Sequence, residues 1–125
     1  MSSSVIDKSV WNDLREFEKA EGAEGFFEQL LKTVLESSRG QMDGLIKSSD
    51  AADPKKTHYY AHTLKSTSAS LGAKGLAGYL GMVEKGCKED PPIINFDAIN
   101  AAKDLYEIFI KEVQEEYDRI QNAAV

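Results

Sequence analysis

One segment of this chain has both ends of a helix written into it, from Asp53-Pro54 to Leu71-Gly72. The Asp53 carboxylate can cap the free amides of a first turn, and Pro54 at the first helical position lacks an amide that would be orphaned anyway. At the far end, Gly72 supplies the left-handed residue that stops a helix. The remaining segments also read as helices. Only three prolines occur, and no alternating apolar run bounded by turn residues reads as a strand.

Apolar spacing predicts four further helices. The first runs from about Asp7 to Ala20, with Val10, Trp11, Leu14 and Phe17 in register, and Glu21-Gly22-Ala23 breaks the chain after it. The second runs from about Glu24 to Ser49 and buries Phe27, Leu30, Leu31, Val34, Met42, Leu45 and Ile46. Gly40 and Gly44 weaken it by about 1 kcal/mol each, so a kink or fraying is expected there. The fourth extends from about Ala73 to Lys88, before Pro91-Pro92. The fifth begins near Asn95 or Asp97 and reaches Gln121, with Ile99, Ala102, Tyr106, Phe109, Val113 and Ile120 as its stripe. The expected fold is a single all-α domain over residues 1–125. It is an antiparallel up-down four-helix bundle, core about 24–121, with an additional short N-terminal helix at about 7–20. That helix should cap one end or lie across one face.

Composition narrows the function classes. Met1-Ser2-Ser3-Ser4 lacks the basic and apolar parts of a secretory leader, and no apolar stretch approaches membrane-spanning length. The lone cysteine, Cys87, shares a stripe with Leu76, Leu80 and Val83, reads as a small core residue, and fits a reducing cytoplasm. The formal charge is −6, which opposes nucleic-acid binding in general. Yet no Asp or Glu occurs between Pro54 and Val83, while Lys55, Lys56, Lys65 and Lys74 do. Such a basic island suits a small anion or an acidic patch on a partner. Chance and helix-end charge preferences would produce it too.

At about 100° per residue, Thr57, Tyr60, Leu64, Ser68 and Leu71 fall on the core side of the third helix. Lys55, His58, Tyr59, His62, Lys65, Ser66 and Ala69 gather on the other side, facing solvent. Stability alone seldom calls for two imidazoles and two ammonium groups on one exposed face.

The run Ala61-His62-Thr63-Leu64-Lys65-Ser66-Thr67-Ser68-Ala69-Ser70-Leu71-Gly72 resembles the signature of histidine-containing phosphotransfer (HPt) proteins. That signature has a hydrophobe two after the histidine, lysine three after, a small residue four after, and hydrophobe-glycine to close the helix. The Leu-Arg-Glu of the first helix, Phe26-Phe27-Glu28-Gln29-Leu30 and Met82-Val83-Glu84 resemble the family as well. The resemblance implies a phosphorelay intermediate that accepts a phosphoryl group on His62 and passes it to another aspartate. It implies response-regulator receiver domains and a sensor or hybrid histidine kinase as partners, with Mg²⁺ on the receiver and no cofactor on this chain. It also implies a stoichiometric carrier, not an ATP-dependent kinase, and the chain has no nucleotide-binding glycine pattern. A monomer is expected, with no nucleic acid and no membrane. The starting Met and whole-domain length fit a stand-alone unit.

The chemistry of the residues agrees. An imidazole near neutral pH is a nucleophile whose phosphoramidate is energy-rich. Lys65 lies on the adjacent helical surface and can stabilise phosphoryl oxygens. Gly72 allows a sharp turn between the third and fourth helices. By resemblance, Glu84 is the acidic residue that can reach the other imidazole nitrogen, fix the tautomer and leave Nε2 free; a solvated glutamate is the alternative. Lys55, His58, Tyr59, Ser66 and Ala69 form the candidate docking face. His58 has Ala61, not lysine, three residues on, and reads as a neighbour that touches the partner or tunes local charge. Ser66 departs from the family's usual glycine. Gly72, Gly75, Gly78 and Gly81 recur every third residue, which suggests close helix packing. Two rivals stand beside this reading. One is a metal-binding bundle using His58 and His62 one turn apart, though Glu-x-x-His pairs are absent. The other is a helical scaffold without chemistry.

Overall fold

The computed structural model describes residues 4–123; Met1-Ser2-Ser3, part of the stretch read as no leader, and residues 124–125 lie outside the described residues. Within it are five helices: α1 (Lys8–Ala20), α2 (Phe26–Asp50), α3 (Pro54–Ser70), α4 (Lys74–Cys87) and α5 (Phe96–Ala123). No strand occurs among the described residues. Asp53 is the expected cap of α3, with extended backbone and a carboxylate that accepts from the Lys56 amide at 3.1 Å. Helix α2 starts two residues later than its apolar pattern suggests. Gly25 stands at φ +83°, which no helix can contain, and no side chain at that position caps the end. Glu18 of α1 does so instead, accepting from the Phe27 amide at 2.9 Å.

Helices α2 to α5 pack in a ring, α2 on α3, α3 on α4, α4 on α5 and α5 back on α2. Leu31, Leu45, Leu64, Leu76, Leu80, Val83, Tyr106, Phe109 and Val113 fill its centre with almost no exposure. At about 25 cal/mol per Å² of apolar surface removed from water, this is the main force holding the ring. Several polar groups inside are paired with one another. Tyr106 and Ser38 share a hydrogen bond of 2.7 Å, and Thr57 donates to the Asp53 carbonyl at 2.8 Å.

Helix α1 lies over the α3–α4 turn. The Trp11 indole donates to the Leu71 carbonyl at 3.0 Å and meets Phe27 edge-on at 5.7 Å, while the Asp7 amide donates to the Gly72 carbonyl at 2.9 Å. Arg15 pairs with the buried Glu116 of α5, which also holds Arg119. Phe17 does not join the core. It is 48% exposed and packs with a tilted ring against Phe26, also exposed, at 5.3 Å. Leu30, Ile46, Tyr60 and Ile120 are half-buried, on the borders of their stripes.

The glycines divide by what surrounds them. Gly44 does not break α2, because the Tyr60 ring covers it; a Cβ there would sit 2.4 Å from Cζ. Gly72 (φ +83°) is needed twice over. Its backbone is left-handed, and a Cβ would come within 2.8 Å of the Asp7 carbonyl oxygen. Close helix packing does not explain the rest of the three-residue repeat. A Cβ at Gly75 would meet only Leu105 at 3.9 Å, one at Gly81 only Lys65 at 3.6 Å, and one at Gly78 nothing.

This division is measurable by chemical denaturation. Gly72→Ala should cost about 1–3 kcal/mol, from strain together with displacement of α1. Gly78→Ala should gain up to about 1 kcal/mol, since it replaces a poor helix former in open space. Equal effects of the two substitutions would contradict the assignment.

Candidate functional site

His62 sits at the middle of α3 with its side chain 59% exposed. The ring is not free to rotate without cost. Nδ1 lies 3.0 Å from Oε2 of Glu84, which reaches across from α4. A carboxylate only accepts, so Nδ1 carries the hydrogen, and in the neutral ring the lone pair is on Nε2. The bond therefore selects the tautomer whose Nε2 is nucleophilic.

Glu84 is 8% exposed, so the alternative of a solvated glutamate fails. Burial alone would raise its carboxyl, but the contacts and charges of Lys65 and His62 outweigh that and hold it below its ordinary 4.5. Lys65 Nζ lies 2.6 Å from Oε1, a close ion pair whose alignment falls short of a hydrogen bond. His58 Nε2 is 3.4 Å from Oε2, again without hydrogen-bond alignment. The two imidazole planes are nearly parallel, 5° apart, with centroids 6.1 Å apart. Glu84 is thus the meeting point of His58, His62 and Lys65, all from α3.

Other expected site residues are spread along the same helix. Lys55, Tyr59, Ser66 and Ala69 are exposed, with Tyr59 at 63%. His58 departs from the expected solvent-facing position: it is half-buried, leaning towards α4. Gly72 closes the helix beneath α1, as the hydrogen bond from Asp7 requires. Cys87 is buried, and burial pushes its thiol up. It lines an open cavity of about 470 Å³ with Asp53, Pro54, Lys55, His58, Lys88 and Pro92.

Two relationships were missed by sequence reasoning, the Lys65–Glu84 ion pair and the approach of His58 to the same carboxylate. The signal was present. Positions 58, 62 and 65 share one helical stripe, and Glu84 is the first acidic residue after the basic island. His62 Nδ1 bonds an oxygen that can only accept, so that nitrogen presents no lone pair to a metal. Among the described residues no group of three or more His, Cys, Asp or Glu side chains is arranged to hold a metal ion. Among the same residues, no helix is long and apolar enough to cross a membrane.

Comparison with known proteins adds independent support. The family model for the Hpt domain matches residues 29–103. Among solved structures, the chain is similar to histidine-containing phosphotransfer protein B (HptB) from Pseudomonas aeruginosa PAO1. The TM-score is 0.78 at 24% identity, over 94% of this chain and 98% of that one, a likeness of fold. No curated protein sequence matches significantly. The matched stretch takes in the whole of α3 and α4 with the residues that meet at Glu84, and it spans more than half of the sequence. The chain therefore belongs to the Hpt domain family and is a phosphocarrier of phosphorelays.

Proposed function

We propose that His62 is the phosphoacceptor of this carrier, receiving its phosphoryl group from a receiver-domain aspartate or a histidine kinase and returning it to another receiver aspartate. The observation that carries this reading is an exposed imidazole whose Nδ1 is held by the buried Glu84. In the forward step the Nε2 lone pair forms the P–N bond as the P–O bond to the aspartate breaks, and that aspartate leaves as a carboxylate. The Nδ1 hydrogen stays on the bond to Glu84. Lys65 offers positive charge for the phosphoryl oxygens. Lys55, His58, Tyr59, Ser66 and Ala69 make the docking face, and an in-line approach needs that face open. The chain works as a monomer in the cytoplasm, a single domain built as an up-down antiparallel bundle with α1 across one end. It needs no cofactor or metal of its own, since Mg²⁺ belongs to the receiver, and it has no ATP-dependent kinase activity.

Incubation with a phosphorylated receiver should put an acid-labile, alkali-stable label on the parent chain, and His62→Gln should abolish it with helical circular dichroism unchanged. Full labelling of that variant, or loss of label only in His58→Gln, would overturn the assignment. Lys65→Ala should slow single-turnover transfer. Because Lys65 neutralises a buried carboxylate, the same change should also lower stability by about 1–2 kcal/mol, more than an ordinary surface lysine would.

Glu84 gives a pH prediction. Its folded-state carboxyl titrates below the ordinary 4.5, so its pairing stabilises the fold above that value and is lost as pH falls through the lower, folded-state one. Urea melts between about pH 5 and pH 3 should show the parent losing stability more steeply than Glu84→Gln. Parallel curves would mean that the carboxylate contributes nothing through its charge.

The docking face is tested at Ala69, exposed about two turns beyond His62. Ala69→Trp should block labelling by a receiver while a small donor such as phosphoramidate labels parent and variant alike. Stability should change by no more than about 0.5 kcal/mol. An unchanged ratio of receiver-dependent to small-donor labelling would place the docking face elsewhere.

A further inference from the structure

Glu84 has one neighbour more than an orienting carboxylate needs. Lys65 sits on Oε1 at 2.6 Å, while Oε2 faces both His62 Nδ1 at 3.0 Å and His58 Nε2 at 3.4 Å. His58 is no solvated bystander. Its side chain is 30% exposed against 59% for His62, and its Nε2 is sealed from solvent without an aligned hydrogen-bond partner. A buried ring nitrogen whose near polar neighbour is a carboxylate oxygen calls for an explanation. That oxygen only accepts, so the ring can bond to it only through a hydrogen on Nε2. The cavity that His58 lines is also lined by the titratable groups of Asp53 and Lys55 at the start of α3, and of Cys87 and Lys88 at the end of α4.

We propose that His58 is a positioning residue, the reserve donor that keeps Glu84 on His62 Nδ1 when Lys65 turns towards a phosphoryl group. The proposal rests on the reading of His62 as phosphoacceptor and deepens it. A phosphoryl group brings close to two negative charges beside a single ammonium. As Lys65 is drawn to them, Oε1 loses its close counter-charge while the carboxylate stays buried. A buried carboxylate without a partner protonates or swings out. His58 stands on the oxygen that Lys65 does not touch, the one already engaged by His62. Closing the 3.4 Å separation to an aligned hydrogen bond gives that oxygen a second donor. The carboxylate then stays in place, Nδ1 keeps its hydrogen, and the phosphoryl group remains on Nε2.

The departure of Lys65 can be imitated without any phosphorylation. In full-length Lys65→Ala protein, imidazole nitrogen NMR reports whether His62 keeps its hydrogen on Nδ1. Two second substitutions then separate the roles of the His58 ring and its donor. His58→Phe keeps a flat ring beside His62 without a donor, and His58→Gln keeps an N–H donor without the ring. The Nδ1–H tautomer should persist in Lys65→Ala and in Lys65→Ala/His58→Gln, and should be lost in Lys65→Ala/His58→Phe. In the Lys65-containing background, phosphoramidate-labelled His58→Phe should lose its label about five-fold faster than the parent, while His58→Gln stays near it. This second measurement decides the matter if a double variant fails to fold. Equal behaviour of the Phe and Gln variants in the measurable background would overturn the proposal. Absence of label from parent His62 would instead refute the phosphoacceptor reading, with the tautomer measurement still testing His58.

Discussion

A carboxylate that is almost out of water stays ionised where a counter-charge and hydrogen-bond donors come to it, and here they come from one neighbouring helix. Glu84 on α4 meets the Lys65 ammonium and the imidazoles of His62 and His58 on α3, with no base from α4 itself in contact. The short Leu71-Gly72-Ala73 connection, with its left-handed glycine, brings these two helices side by side. Buried ion pairs stabilise weakly in net terms, because desolvation consumes most of the attraction. Their strength lies in geometry, and the geometry obtained here is an imidazole with a defined tautomer.

A second buried carboxylate plays a different part. Glu116 on α5 joins Arg15 of α1 and Arg119 of its own helix, well away in sequence from the histidine helix. Arg15 also stacks over the Phe27 ring at 4.8 Å. Arg15 thereby ties α1 to α5, as Trp11 ties it to the end of α3 and to α2. One buried acid thus gathers His58, His62 and Lys65, and the other fastens α1.

Much of this was legible in the sequence, for identifiable reasons. Asp53-Pro54 and Gly72 act through the backbone within a few residues, so their effects needed no tertiary information. The inward residues of α5 repeat over many turns, which averages out local ambiguity. What escaped depended on partners distant in sequence. Phe17 fits the stripe of α1, but it lies outside the core, against Phe26 across a turn. Gly44 looked like a weak point because nothing local shows the Tyr60 ring that covers it. The stretch of glycines in α4 suggested close packing, whereas Gly75 and Gly78 face open space. At the site, helical spacing could align His58, His62 and Lys65, but not show that one acid from α4 would sit beneath all three.

The donors that α1 sends to Leu71 and Gly72 satisfy carbonyls at the very end of α3, where a helix ordinarily relies on solvent. The helix bearing His62 is therefore clamped at both ends, by the Asp53 side chain at one and by another helix at the other. Its terminal turns cannot fray by themselves, because opening the last one means lifting α1. Amide hydrogens at the end of α3 and at the start of α1 should then exchange as one cooperative unit. Fast motion at the site is left to side chains, rotating on the picosecond-to-nanosecond scale of exposed rotamers above a backbone that yields only in slower, collective openings.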